Sequence, residues 1–272
     1  MSKAYQISKD NKFRVGDHDP DDTSWWDGDK ASAKVELKKL RERLIDLQEL
    51  LWAEDKHGLL IVLQAMDAGG KDGTIRSIFQ GINPQGVKVA NFKVPTPVEL
   101  AHDYLWRIHQ KTPERGEIVI FNRSHYEDVL VVRVKSLAPE KVWKKRYQHI
   151  VNFERMLADE GTTILKFFLN ISKDEQKTRF LERIEKKHKQ WKFNPGDIEE
   201  RQYWDEYLAA FEDAINKTST GFAPWYVIPA NRNWYRDLVI TRIIVDCLES
   251  MKMKYPPPVE NIETYKEILE DG

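Results

Sequence analysis

The stretch GLLIVLQAMDAGGKDGT, residues 58–74, decides how the rest of the chain is read. Its first part is a short, nearly continuous apolar run, as expected of a strand covered on both faces. A glycine-rich turn follows, and then "IRSIFQGI", which has the pattern of a helix. Strand, glycine turn, lysine and helix in this order resemble the phosphate loop G-x-x-x-x-G-K-[ST]. Two positions depart from it. Ala65 stands where the first glycine belongs, and Asp72 stands where a metal-binding hydroxyl follows the lysine.

A phosphate loop needs backbone amides that converge on anionic oxygens, which Cβ atoms would obstruct. Gly69, Gly70 and Gly73 meet that need, with Ala68 and Thr74 completing the turn. Lys71 supplies a point charge for a phosphate. Mg²⁺ takes oxygen ligands and favours one or two carboxylates plus substrate phosphates. Without the hydroxyl, a carboxylate must serve, and Asp67 at the strand's end is the preferred candidate. For Asp72 the plainer reading, a cap for the following helix, is favoured over metal contact.

A second apolar strand ends in GEIVIFNRSHYED, residues 116–128. In open parallel sheets ligands bind outside the carboxyl ends of strands. Asn122 therefore stands at a position that commonly bears a metal-binding Asp. Arg123 beside it can bridge phosphoryl groups bidentately. Glu127 and Asp128 add carboxylates, with an ordinary acidic helix cap as the competing reading. His125 and Tyr126 read as packing or orienting groups.

A third feature, QKTRFLERIEKKHKQWK (176–192), carries seven Lys or Arg against two Glu. Arg179, Arg183 and Lys187 fall at i, i+4 and i+8, one face of a continuous helix. Such a row, with little compensation, suits a linear polyanion better than a compact phosphate. Single-stranded nucleic acid would also fit, with Trp191 as a stacking platform.

The remaining elements alternate. Helices are expected over 33–56, 96–110, 139–161, 172–189, 198–216 and 233–251, and further strands over 87–92, 162–171 and 224–230. Thr96 and Glu99 form a capping box with Pro97 at the first helical position. The polar arm 1–30 and the tail 255–263 read as irregular. Alternation of this kind makes an α/β fold, a parallel sheet with helices on both faces. One domain over 1–272 is expected, with a helical lid inserted near 180–215.

Composition is that of a globular chain, with 41% hydrophobic and 32% charged residues among 272. A net charge of −1 gives no overall field toward nucleic acid or membrane. The single cysteine, Cys247, excludes an internal disulfide and reads as a buried structural thiol. No apolar run approaches membrane-spanning length, and the opening residues lack an apolar signal core, so a cytoplasmic location is expected.

Together AMDAGGKDGTI (65–75), FNRSHYEDVLVVRV (121–134), RFLERIEKKHKQWKF (179–193) and PWYVIPANRNWYR (224–236) resemble the family-2 polyphosphate kinases over about residues 15–255. The resemblance implies a P-loop kinase fold similar to thymidylate kinases, with a helical lid. It implies phosphoryl transfer between inorganic polyphosphate and a nucleotide, with Mg²⁺ or Mn²⁺ and no covalent intermediate. By position, Asp67 resembles the carboxylate that works with metal, Lys71 the loop lysine, Arg123 the phosphate-bridging arginine and Arg183 the catalytic arginine of the lid. Arg179, Lys186, Lys187 and Lys189 would lie along the polyphosphate path. FNRSHYED is similar to the third class, which accepts nucleoside monophosphates and diphosphates. Asn122 there removes one metal ligand, a role that Asp128 or Glu127 would take over. Lys93 is placed on the nucleotide side, with a plain surface lysine as the equal alternative. Homodimers or homotetramers are implied, with helix 33–56 and the Trp-rich arm as candidate contacts. Two rivals stay open: an ATP-dependent small-molecule kinase and a nucleic-acid-binding P-loop switch.

Overall fold

A computed structural model describes residues 4–7 and 12–270. Five parallel strands lie in the order β2-β3-β1-β4-β5: β1 Gly58–Ala65, β2 Val87–Asn91, β3 Ile118–Asn122, β4 Thr162–Asn170 and β5 Trp225–Pro229. The central strand β1 pairs with β3 (Leu63 opposite Asn122) and with β4 (Ala65 opposite Leu169). Its crossovers leave in both directions, which opens a crevice beyond its carboxyl end. Burial explains the apolar runs. Leu59 through Leu63 are each 0–1% exposed, since helices cover both faces of the sheet. This arrangement, with the glycine loop after β1, is that of a P-loop kinase.

Helix α1, Lys30–Glu54, starts where the Asp29 carboxylate accepts from the Ser32 amide, satisfying one orphan donor. Its buried stripe is Ala33, Leu37, Leu40, Leu44, Leu47 and Leu51. Each such leucine contributes about 1.5–3 kcal/mol on leaving water. The partner of this stripe is α10, Asn233–Ser250, of the same chain. The arm behaves alike. Trp25 and Trp26 pack on the core, and the Val15 amide donates to Glu212 at 2.7 Å.

Three segments depart from expectation. Residues 96–110 form two short helices, α3 Pro97–Leu100 and α4 Trp106–His109, instead of one. The Asp103 carboxylate accepts from the Leu105 amide and draws the chain into a turn between them. The capping box of Thr96 and Glu99 is present. The tail carries a helix, α11 Ile262–Glu270, after an extended proline run.

The basic segment changes most. Helix α7 is Lys173–Glu185; Lys186 is already extended, and Lys187–Lys192 is a tight 3₁₀ turn. The Gln190 amide donates to the Ile184 carbonyl and the Trp191 indole to that of His188, closing this turn. Lys187 therefore leaves the face that Arg179 and Arg183 share. After the lid turn come α8 Gly196–Glu200 and α9 Trp204–Thr218; α5 Val131–Val134 and α6 Glu140–Asp159 lie between β3 and β4. No helix among the described residues is long and apolar enough to cross a membrane. Cys247 is buried, and that burial pushes its thiol up to about 12.

Candidate active site

The loop 66–70 turns tightly above the carboxyl end of β1, and sterics explain its glycines. A Cβ on Gly69 would strike the Ala65 side chain and approach the Met66 carbonyl oxygen to 2.8 Å. Gly70 has φ +99° and lies against the Arg236 guanidinium, so both conformation and space demand glycine. Gly73 is different. An added Cβ would meet only Arg236, at 3.8 Å, so packing does not require glycine there.

Helix α2, Lys71–Ile78, begins directly after the loop. The Thr74 amide donates to the Gly70 carbonyl, which leaves the preceding first-turn amides at the loop's mouth. The buried Thr74 hydroxyl also donates to Gly70, at 3.1 Å. Thr74 thus builds the loop from behind instead of facing an anion. Ala68 holds a left-handed φ of +58°, and its carbonyl accepts from Arg179.

Four charged groups converge on this loop. The Lys71 ammonium donates back to the Ala65 carbonyl at 3.1 Å. Burial, and secondarily Arg123, push its pKa down, against the pull of Asp67, Glu127 and Asp72. Arg123 lies one residue past β3, in a left-handed conformation with φ +61°, and its guanidinium donates to Asp67 at 2.8 Å. Burial works against the Arg123 charge, but Glu127 and Asp67 outweigh it and raise its pKa. The half-buried Glu127 carboxyl is pushed up by desolvation, with Arg123 and Lys71 opposing. The Asp67 backbone carbonyl is held by Gln176 of α7 at 2.8 Å.

Asn122 and Asp72 form a direct bond: the Asn122 amide donates to Asp72 at 2.8 Å and to Asn91 at 2.9 Å. Lys192 of the lid turn stands 3.8 Å from Asp72. Asp72 makes no capping bond; the N-cap is Gly70, without a side-chain cap. The helix-cap reading of Asp72 is therefore replaced by a link from loop to β3 and lid.

The lid residues divide. Arg183 is packed on Phe180 and donates to Asp197 at 3.1 Å. Asp197 in turn feels the site: desolvation, then repulsion from Asp67, raises its pKa, while Arg183 and Arg123 pull it down. Arg179 is a structural strap. It donates to Glu175, to the Ala68 carbonyl at 3.1 Å and to the Ala230 carbonyl at 2.6 Å, tying α7 to the loop and to β5. Lys186 and Lys189 both pair with Glu182, whose carboxyl their bonds pull down to about 2. The basic row is thus better compensated than its sequence suggests. Lys187 is exposed and forms no ion pair among the described residues.

Asp128 is turned to other work. Its carboxylate accepts from Arg146 at 2.8 Å, and burial still pushes its pKa up to about 6. Lys93 is exposed at the rim of a cleft of about 710 Å³ along β2, its carbonyl accepting from Arg107. His125 and Tyr126 are fully buried and bond to Glu154, which pairs with Lys166 at 2.6 Å. They pack and orient, as their sequence context suggests.

Arg236 is the site residue that sequence reasoning missed. It is buried, anchored by Asp237 and Asn233, and stands directly behind Gly70. The available signal was an Arg-Asp pair, Arg236 and Asp237, at the start of the apolar run of α10. Asp197 was likewise overlooked within a plain turn.

No group of three or more His, Cys, Asp or Glu side chains among the described residues is arranged to hold a metal by itself. Asp67, Glu127 and Asp72 each act electrostatically on Lys71, so one or two of these carboxylates are the available ligands. That set fits a hard cation that takes few carboxylates and completes its shell with phosphate and water, as Mg²⁺ does.

A profile of the polyphosphate kinase 2 family matches residues 27–256. An AMP/ADP-polyphosphate phosphotransferase of Meiothermus ruber is 61% identical, over 94% of this chain and 96% of its own. An ADP-polyphosphate phosphotransferase of Rhodopseudomonas palustris is 47% identical, over 91% of this chain and 92% of its own. The crystal structure of polyphosphate kinase 2 from Arthrobacter aurescens superposes with a TM-score of 0.95 at 39% identity, covering 98% of this chain and 95% of that one. The fold is therefore shared with that structure, and the chain belongs to the polyphosphate kinase 2 family.

Proposed function

We propose that this enzyme moves a phosphoryl group between inorganic polyphosphate and the terminal phosphate of a nucleoside mono- or diphosphate. The observation that carries the reading is the convergence of Lys71, Arg123 and Asp67 on one glycine loop, to which Arg183 of the lid is linked through Asp197. Phosphoryl transfer asks a protein for little beyond alignment and charge compensation, which these groups offer.

An oxygen of the acceptor phosphate attacks the terminal phosphorus of polyphosphate. The bridging P–O bond to the next phosphate breaks, and its electron pair leaves with a chain one phosphate shorter. The first-turn amides of α2 and Lys71 hold phosphate oxygens in place. Arg123 spans acceptor and donor, and its bond to Asp67 fixes its angle. Arg183, released from Asp197, compensates charge on the transferring group. Arg179 and Arg236 act one step back, keeping the loop in shape. Lys93 stands on the acceptor side, while Lys187 and Lys192 extend the donor side. Asp67, with either Glu127 or Asp72, would hold Mg²⁺, which supplies charge neutralisation between the phosphates when bound.

The test is a matrix of donors and acceptors. Polyphosphate without ATP is expected to convert AMP to ADP, and ADP to ATP, with loss of both conversions on chelation of divalent metal. Conversion of AMP with ATP alone as donor, and none with polyphosphate, would overturn the proposal.

A further inference from the structure

Helix α11 has an apolar face that no described residue of its own chain covers. Ile262, Tyr265, Ile268 and Leu269 fall at i, i+3, i+6 and i+7, one stripe of a helix, and all are exposed, Ile268 at 62% and Leu269 at 81%. Nine residues are fewer than the roughly 12–15 an isolated helix needs in water, so this helix gains its stability from a surface it covers. Its own core is held at a distance. Met253 is buried and the Lys254 amide is fixed to Glu54, and then Pro256, Pro257 and Pro258 form a stiff extended spacer. Among the described residues, the hydrogen bond and ion pair of α11 are local, Thr264 to Asn261 and Lys266 to Glu270.

The matching surface lies between β2 and α4. Val94, Val98 and Leu100 are exposed at 89%, 63% and 69%, a concentration of bare apolar side chains within seven residues. Val94 lines the cleft along β2, where Lys88 is paired with Glu117 and Arg107 with Glu99, which leaves Lys93 and Lys111 as the exposed cations of the rim without an ion pair among the described residues. The helical segment has the opposite balance, with Glu260, Glu263, Glu267 and Glu270 against Lys266.

We propose that α11 of one copy docks by its apolar stripe on the Val94–Leu100 segment of a second copy, with its acidic flank against the basic rim of the cleft. Apolar stripe and apolar patch cover each other, charges match, and the proline spacer gives the reach between subunits. Seated there, α11 closes the outer side of a cleft whose inner end, at Asn91, touches Asn122 of the site.

The full chain tests this directly, because its one native thiol is buried. Differently tagged Ile268→Cys and Val98→Cys chains are co-expressed and oxidised mildly with oxidised glutathione. The expected product is a mixed disulfide-linked pair of the two chains, with no such product when Val35→Cys, exposed on α1, replaces Val98→Cys. Absence of the mixed pair, or cross-linking inside a single chain carrying both substitutions, would overturn the proposal. Separately, Ile268→Glu with Leu269→Glu is expected to shift sedimentation to a smaller species with the melting temperature of the core unchanged; an unaltered assembly would contradict it.

Discussion

Arg183 and Asp197 are joined across the lid at 3.1 Å, and Asp197 also senses the carboxylate of Asp67. The lid arginine is therefore held by an internal carboxylate until a stronger anion draws it off. Removing Asp197's charge takes away a competitor for Arg183 and a repulsion on the donor path. Asp197→Asn is expected to lower KM for polyphosphate by roughly fivefold, one surface-charge interaction of about 1 kcal/mol. An unchanged or higher KM would show that Asp197 does not face the donor.

Arg183→Ala should lower kcat by about 10³-fold or more, the value of a charge-compensating arginine in related chemistry. Its melting temperature should hold, since Arg183 is half-buried and binds only lid groups. Arg179→Ala should behave oppositely in kind. Loss of bonds to the Ala68 and Ala230 carbonyls should lower thermal stability together with activity, and thermal melts of both variants separate the two roles.

The two loop glycines give a sharp contrast. Gly70→Ala forces a left-handed Cβ into the Arg236 guanidinium and should cost about 1–3 kcal/mol along with most activity. Gly73→Ala has room and sits in a helix, so it should stabilise by about 0.5–1 kcal/mol. Denaturant unfolding of both variants reads the difference in sign.

Below the site, Lys166 and Glu154 are paired at 2.6 Å with no exposed side-chain surface. Glu154→Gln strands the Lys166 charge and should cost about 3–5 kcal/mol. Replacing both, Glu154→Leu with Lys166→Met, should recover much of that loss. Chemical denaturation of the single and double variants would show whether the pair is needed as a pair.

Asp128 gives a pH signature. Burial raises its carboxyl to about 6, well above its value in an unfolded chain. Its contribution to stability is thus present below about pH 4 and is lost as pH rises through about 6, on the order of 3 kcal/mol. Asp128→Asn should flatten the dependence of melting temperature on pH across that window. A slope equal to that of the unmodified chain would remove Asp128 as its source.

Much of this molecule was legible because its signals are local. Strands β1, β3 and β4 are continuous apolar runs, and the loop and Arg123 follow directly from where those runs end. The lid was less legible. Its helix stops at Glu185 because the turn is closed by Gln190 and Trp191 bonds that no 3.6-residue pattern announces. Arg179 read as an open cation, since its carbonyl partner at Ala230 is distant in sequence. Thr74 and Asp128 were hard to read for the same reason: each has the right chemistry for the site, and each here turns toward a structural partner. Lys166, a lysine inside a buried strand, and Arg236, an arginine in an apolar helix, were visible anomalies whose partners only the fold supplies.

The central claim is that a phosphate chain runs between the glycine loop and the lid. A crystal structure with a short polyphosphate and a non-reactive nucleotide analogue tests it most directly. Phosphate oxygens are expected on Lys71 and Arg123, with Arg183 drawn from Asp197 to the chain. A chain bound elsewhere, or lid and loop separated by bulk water with the chain in place, would contradict it.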